Sequence, residues 1–159
     1  MTRKLLCAAA ALACAGAAAG CGGGDDDDPA KTTTTPPLTK ARFIDRADKI
    51  CQASTAQLKA AGVKLTAAAK QTGRLPQEQV VTFLQDTSVP IYERMLERLR
   101  ALRPPPDDAA DLDGYLASLA KGIDAVKADP TTYAKTTAPD PFEDSNARAR
   151  RYGLEVCGS

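Results

Sequence analysis

The 159-residue chain contains no histidine and no tryptophan, and only 4% of it is aromatic. Without an imidazole there can be no Ser/His/Asp or Cys/His nucleophilic site and no His-ligated zinc, which removes many familiar hydrolytic chemistries. Neither sign of charge is in surplus, since 21 Lys and Arg face 20 Asp and Glu. A nucleic-acid-binding protein normally concentrates positive charge, so nucleic acid is not an expected partner. A Gly-rich phosphate loop, a dinucleotide fingerprint and a G-x-S-x-G elbow are missing too. No run approaches the about 20 strongly apolar residues that a membrane-spanning helix needs. What the chain has in abundance is alanine, 30 residues, nine of them within the first 19.

Those first residues read as a secretory signal. Arg3 and Lys4 form a basic start, and residues 5–19 are uncharged and dominated by small apolar side chains. Ala18-Ala19-Gly20-Cys21 then resembles the bacterial lipobox, departing from it at Ala18, where a Leu-like residue is usual. The resemblance implies cleavage before Cys21, diacylation of its thiol and retention on the outer face of the bacterial cell membrane, which becomes a partner through the lipid. The segment that follows holds three Gly, four consecutive Asp, four consecutive Thr and a Pro-Pro pair. Flexible Gly, mutually repelling carboxylates and extended Pro-Pro build no core. It reads as a disordered tether of roughly 17 residues that reaches on the order of 50 Å. The Asp run reads as solvated rather than as a metal site. The expected organisation is a signal peptide over 1–20, a lipidated Cys and tether over 21–38, and a helical domain over 39–159.

Processing changes both the charge and the cysteine count. Loss of Arg3 and Lys4 leaves 19 basic against 20 acidic side chains, a net charge of −1. Of the five Cys, Cys7 and Cys14 leave with the signal and Cys21 carries lipid, so Cys51 and Cys157 remain. In an exported, oxidising compartment an even pair reads as one disulfide. It closes a loop of roughly 100 residues, which on the chain-entropy account contributes on the order of 4 to 5 kcal/mol. A redox-active pair is the alternative reading, but Cys-x-x-Cys spacing and a local cause for a lowered thiol pKa are both missing.

The rest of the chain keeps a helical period. Thr39 is a suitable N-cap for a helix over residues 40–71, whose stripe is Phe43, Ile44, Ala47, Ile50, Cys51, Ser54, Leu58, Ala61 and Leu65. Gly73 stops it and Pro76 opens a second helix, with Val80, Leu84, Ile91, Met95, Leu99 and Leu102 on its apolar face. Pro90 lies inside that helix and predicts a kink near Thr87. Pro104, Pro105 and Pro106 end it. A third helix starts at about Asp107, lined by Leu112, Tyr115, Leu116, Leu119, Ile123 and Val126, until Asp129-Pro130 stops it. Residues 129–140 read as a loop, and a fourth helix over about 141–153 presents Phe142, Ala149, Tyr152 and Val156. The expected fold is therefore all-α, an antiparallel bundle of about four helices closed by the Cys51–Cys157 disulfide.

Several side-chain groups invite chemistry. Asp107, Asp108, Asp111 and Asp113 precede Gly114, but the spacing lacks an acidic first ligand and a closing Glu for an EF-hand loop, so they read as complements to a helix N-terminus. Asp45, Asp48 and Glu155 can be drawn as a carboxylate group near the disulfide, though nothing in the sequence establishes a cleft. Tyr92, Tyr115, Tyr133 and Tyr152 are candidates to line an interhelical pocket or to supply core area. Arg94, Arg98, Arg100 and Arg103 near the end of the second helix, and Arg148, Arg150 and Arg151 on the fourth, read first as solvated faces, since cations are favoured near a helix C-terminus. Arg148, Arg150 and Arg151 are the candidate contact with an anionic partner: a lipid headgroup, a glycopolymer or an acidic envelope protein.

Three phrases, Phe43-Ile44-x-x-Ala47-Asp48-x-Ile50-Cys51, Leu99-Arg100-Ala101-Leu102-x-Pro104-Pro105 and Tyr152-Gly153-Leu154-x-Val156-Cys157-Gly158, resemble those of a group of small, Ala-rich, uncharacterised actinobacterial lipoproteins. The resemblance spans most of residues 40–158, implies a helical domain with one Cys near its start and another at its end, and carries no activity with it. The expectation is a membrane-anchored, non-enzymatic binding or interaction module of the cell envelope, with no metal and no cofactor. The alternative is a carrier or sensor of a small apolar ligand held between helices.

Overall fold

Thr39 starts the first helix as its sequence suggests, its hydroxyl accepting a hydrogen bond from the Arg42 N–H at 3.4 Å. The structure is a computed structural model that describes residues 36–73, 75–135 and 137–159. The signal segment, Cys21 and the tether as far as residue 35 lie outside the described residues. Helix α1 runs Lys40–Thr72 and stops at Gly73. Phe43, Ala47, Cys51 and Ser54, spaced by four, four and three residues, form its buried face. Beyond Ser54 the stripe continues through Leu58, Ala61 and Leu65, but these are only half-buried, and no described residue of this half is buried.

The second rod is built in three pieces, α2 (Gln77–Phe83), a π-helical turn (Leu84–Ser88) and α3 (Val89–Arg100). In the π turn the Val89 N–H reaches back five residues to the Leu84 carbonyl. Pro90 follows directly; it has no N–H to give and its ring crowds the carbonyl four residues before it, so the wider turn occupies the place of the expected kink. Val89, Ile91, Met95, Leu96 and Leu99 of α3 are buried, whereas α2 buries no residue fully.

After the prolines, a 3₁₀ turn (Pro106–Asp108) leads into α4 (Ala109–Ala128), which buries Leu112, Tyr115, Leu119, Gly122, Ile123 and Val126. The segment expected as a loop contains a short helix, α5 (Pro130–Tyr133). Asp129 accepts a hydrogen bond from the Thr132 N–H at 2.9 Å and Pro130 occupies the first helical position, so the pair that ends α4 also starts α5.

Helix α6 (Glu143–Tyr152) closes with Gly153 at φ 101°, a conformation that costs other residues a steric clash. The Leu154 N–H reaches the Ala149 carbonyl and the Gly153 N–H the Arg150 carbonyl, the paired bonds of a Schellman end. That turn drives Leu154 fully into the core and returns the chain toward α1, where Cys157 bonds Cys51 with their Cα atoms 5.2 Å apart. The fold is all-α, four long helices and one disulfide, with no strand among the described residues. Leu99, Leu112, Leu154 and Cys51 form its most enclosed centre. Leu38 also joins the packed body, its N–H donating to the Arg103 carbonyl at 3.0 Å, so the chain enters the bundle beside the α3–α4 connection.

Candidate functional site

The end of the bundle at which the chain enters gathers the N-terminus of α1, the start of α4 and the last turn of α6. Lys40, Asp111, Arg148, Arg151 and Tyr152 there line an open cleft of about 250 Å³. Tyr152 forms part of its wall. Its ring packs edge-on against Phe43, with centroids 5.9 Å apart, and its hydroxyl donates to Asp108 Oδ2 at 2.7 Å. Burial, and next the bond to Asp108, hold that hydroxyl well above the ordinary tyrosine range, so it stays a neutral donor. The Lys40 ammonium lies 4.2 Å from the centre of the same ring and 4.0 Å from Asp108 Oδ2.

Arg148 is seated by two neighbours. Its Nε donates to Asp144 Oδ2 at 2.9 Å, and one terminal guanidinium nitrogen lies where a side chain at position 114 would begin, 3.1 Å from an added Cβ. Gly114 costs α4 roughly 1 kcal/mol relative to alanine in a helix interior, and the guanidinium rests over its open face. The side chain of Arg151, one turn on, makes no hydrogen bond or ion pair among the described residues. Guanidinium groups carry five N–H donors in a planar fork, so Arg151 and the terminal nitrogens of Arg148 remain available to an acceptor in the cleft.

The structure brings together two of the three arginines expected to act as a group. Arg148 and Arg151 are three residues apart and share a face of α6, while Arg150 points away and its guanidinium bonds the Gly158 carbonyl. Arg150 thus secures the C-terminal turn instead of joining the cleft. Lys40 takes its place, a residue that sequence reasoning missed because it lies more than a hundred positions away on another helix.

The other candidate groups separate. Asp48 Oδ1 accepts hydrogen bonds from the Val156 and Cys157 N–H groups at 3.1 and 3.2 Å, so it caps the backbone that carries the disulfide. Asp45 instead pairs with Lys49 at the surface, and Glu155 is exposed. No carboxylate pair is formed from these three. The four tyrosines do not converge either: Tyr115 is in the core, Tyr92 stacks on Phe142 at 4.6 Å, Tyr133 belongs to α5 and Tyr152 walls the basic cleft. The wider grooves lie at the opposite end. One, of about 750 Å³, runs between the second half of α1 and the α2–π segment, bordered by Leu65, Thr82, Phe83 and Asp86; another of similar volume lies between α2 and Thr131.

Comparison with protein-family models, with curated proteins and with solved structures finds no match to this chain. The resemblance to Ala-rich lipoproteins therefore rests on the three sequence phrases alone.

Proposed function

We propose that the chain is an exported lipoprotein, anchored through Cys21 on the outer face of the bacterial membrane, whose helical domain is a non-enzymatic binding module for an anionic partner in the cell envelope. The convergence of Arg148, Arg151 and Lys40 in one open cleft, at the end where the tether joins the bundle, carries this reading. A disulfide of 106-residue separation suits a small exported body. The cleft offers two guanidinium groups and an ammonium as donors, with Asp111 on its wall. The carrier reading draws less support, because the tyrosines that would line an interhelical pocket are dispersed.

One measurement on intact cells and one in vitro test the proposal. Metabolic labelling with a fatty acid should mark the wild-type protein, and Cys21→Ala should lose the label and pass to the soluble fraction. In vitro, envelope fractions should capture the Cys21→Ser chain, and reversing Arg148 and Arg151 to Glu should reduce that capture at least tenfold. A Cys21→Ala chain that keeps its acyl label would end the anchoring claim, and unchanged capture would end the cleft's part in binding.

A further inference from the structure

Resting on the binding-module reading, we infer that the cleft is a headgroup site for anionic glycerophospholipid in the membrane to which the tether holds the chain. The first ground is its donor inventory. Arg148 and Arg151 present planar guanidinium forks, which match phosphate oxygens in pairs, and Lys40 adds an ammonium. Arg148 is held ready by Asp144 and by the space above Gly114, so little ordering remains to be done on binding.

The second ground is the carboxylates: Asp144 is engaged by Arg148, and Asp108 by Tyr152 with Lys40 4.0 Å away, while Asp111 lines the cleft wall itself. A carboxylate beside a phosphate site weakens it unless the ligand brings a donor for the carboxylate. A phosphodiester flanked by glycerol hydroxyls meets the guanidinium groups with its phosphate and Asp111 with a hydroxyl, whereas a bare inorganic dianion repels Asp111. The about 250 Å³ of the cleft takes one such headgroup, and its open mouth admits one still joined to a lipid.

Position is the third ground. Lys40 opens α1 and Leu38 is pinned to the Arg103 carbonyl, so the cleft borders the point where the chain leaves for the tether. An anchor on Cys21 holds the cleft at high effective concentration over the surface, which lets a weak headgroup site fill. Tyr152, its ring packed on Phe43 and its hydroxyl bonded to Asp108, gives the cleft a fixed wall.

The test uses the Cys21→Ser chain with its disulfide intact, so that the lipid cannot supply the binding. It is sedimented with phosphatidylglycerol vesicles and with phosphatidylcholine vesicles. The expected result is at least tenfold tighter binding to the former, release by soluble glycerol 1-phosphate, and at least tenfold loss in Arg148→Glu/Arg151→Glu. Lys59→Glu/Lys64→Glu makes an equal charge change on the far half of α1 and should alter binding less than twofold. Circular dichroism identifies any variant that fails to fold, and Arg148→Lys/Arg151→Lys, which keeps charge but loses the forks, should still fall by about threefold or more. Equal loss in the two Glu pairs means general charge attraction and overturns the inference, as does glycerol phosphate binding that vesicles do not strengthen. Absence of phosphatidylglycerol binding overturns it too. If envelope fractions then still capture the chain through Arg148 and Arg151, the binding module stands with another anionic partner; if they do not, both fall.

Discussion

The two halves of α1 have the same helical period and different fates. From Phe43 to Ser54 the apolar stripe packs on α3 and is tied at Cys51 to the C-terminal turn; Phe43, Ala47, Cys51 and Ser54 are buried, and Ile44 and Ile50 at its margins are half-buried. From Leu58 onward the stripe continues in sequence, but Leu58, Ala61 and Leu65 are only half-buried, and the last two border an open groove whose other side is α2 and the π turn. The cause is length. At 33 residues α1 is about 50 Å long, and α3, at 12, about 18 Å, so the second half of α1 outruns the helix that covers its base. Periodicity reports which face a helix offers, and topology decides whether anything arrives to cover it. The covered half is also the half that fixes Lys40 against Tyr152 and so shapes the cleft.

Removing the disulfide should break this contrast most. Cys51→Ser/Cys157→Ser frees a loop of 106-residue separation and is expected to cost on the order of 4 to 5 kcal/mol, read from the denaturant midpoint of the oxidised and variant proteins. Next come paired cavity mutations. Leu99→Ala or Leu112→Ala, both fully buried, should cost about 2.5 to 5 kcal/mol, and Leu65→Ala in the far half under about 1 kcal/mol. Equal losses would mean that the far half is as well packed as the base.

Gly122→Ala sharpens the same point by overfilling. Its Cβ would stand 2.5 Å from the Pro141 carbonyl oxygen and 2.7 Å from the Phe142 ring, so α4 and the start of α6 must separate, at a cost of about 1 to 3 kcal/mol in the same unfolding assay. The smallest effect is alkaline. Burial first, and then the nearby Asp48 charge, raise the Tyr115 pKa above 10.0, so the folded state holds its proton after the unfolded chain has lost it. The resulting stability is complete below pH 10 and declines as pH rises beyond it. Tyr115→Phe should flatten that decline in a pH series of unfolding midpoints, and an unchanged slope would assign it elsewhere.

Much of the fold was legible in the sequence because helices and their stops depend on local chemistry. The Thr39 cap, the Gly73 and proline stops and the disturbance before Pro90 follow from neighbouring residues, and the Cys51–Cys157 bond from an even cysteine pair read with the expected export. What was not legible depends on partners brought from afar. Leu154 falls outside the period of α6 and is buried only because Gly153 turns the chain inward. Asp129-Pro130 carried its helix-start signal openly, but read as a stop it hid α5. For the cleft, a three-residue spacing distinguishes Arg148 and Arg151 from Arg150, a geometric clue available from the start. The contribution of Lys40, and the role of Gly114 in seating Arg148, needed the packing of α1 and α4 against α6.

Hydrogen exchange along α1 tests the central claim most directly, since a single helix samples both environments. Amides from residue 47 to 54 should exchange only through global unfolding, while those from 60 to 70 should exchange at least a hundredfold faster through local opening. Uniform protection along the whole helix would contradict the division into a locked base and an uncovered extension.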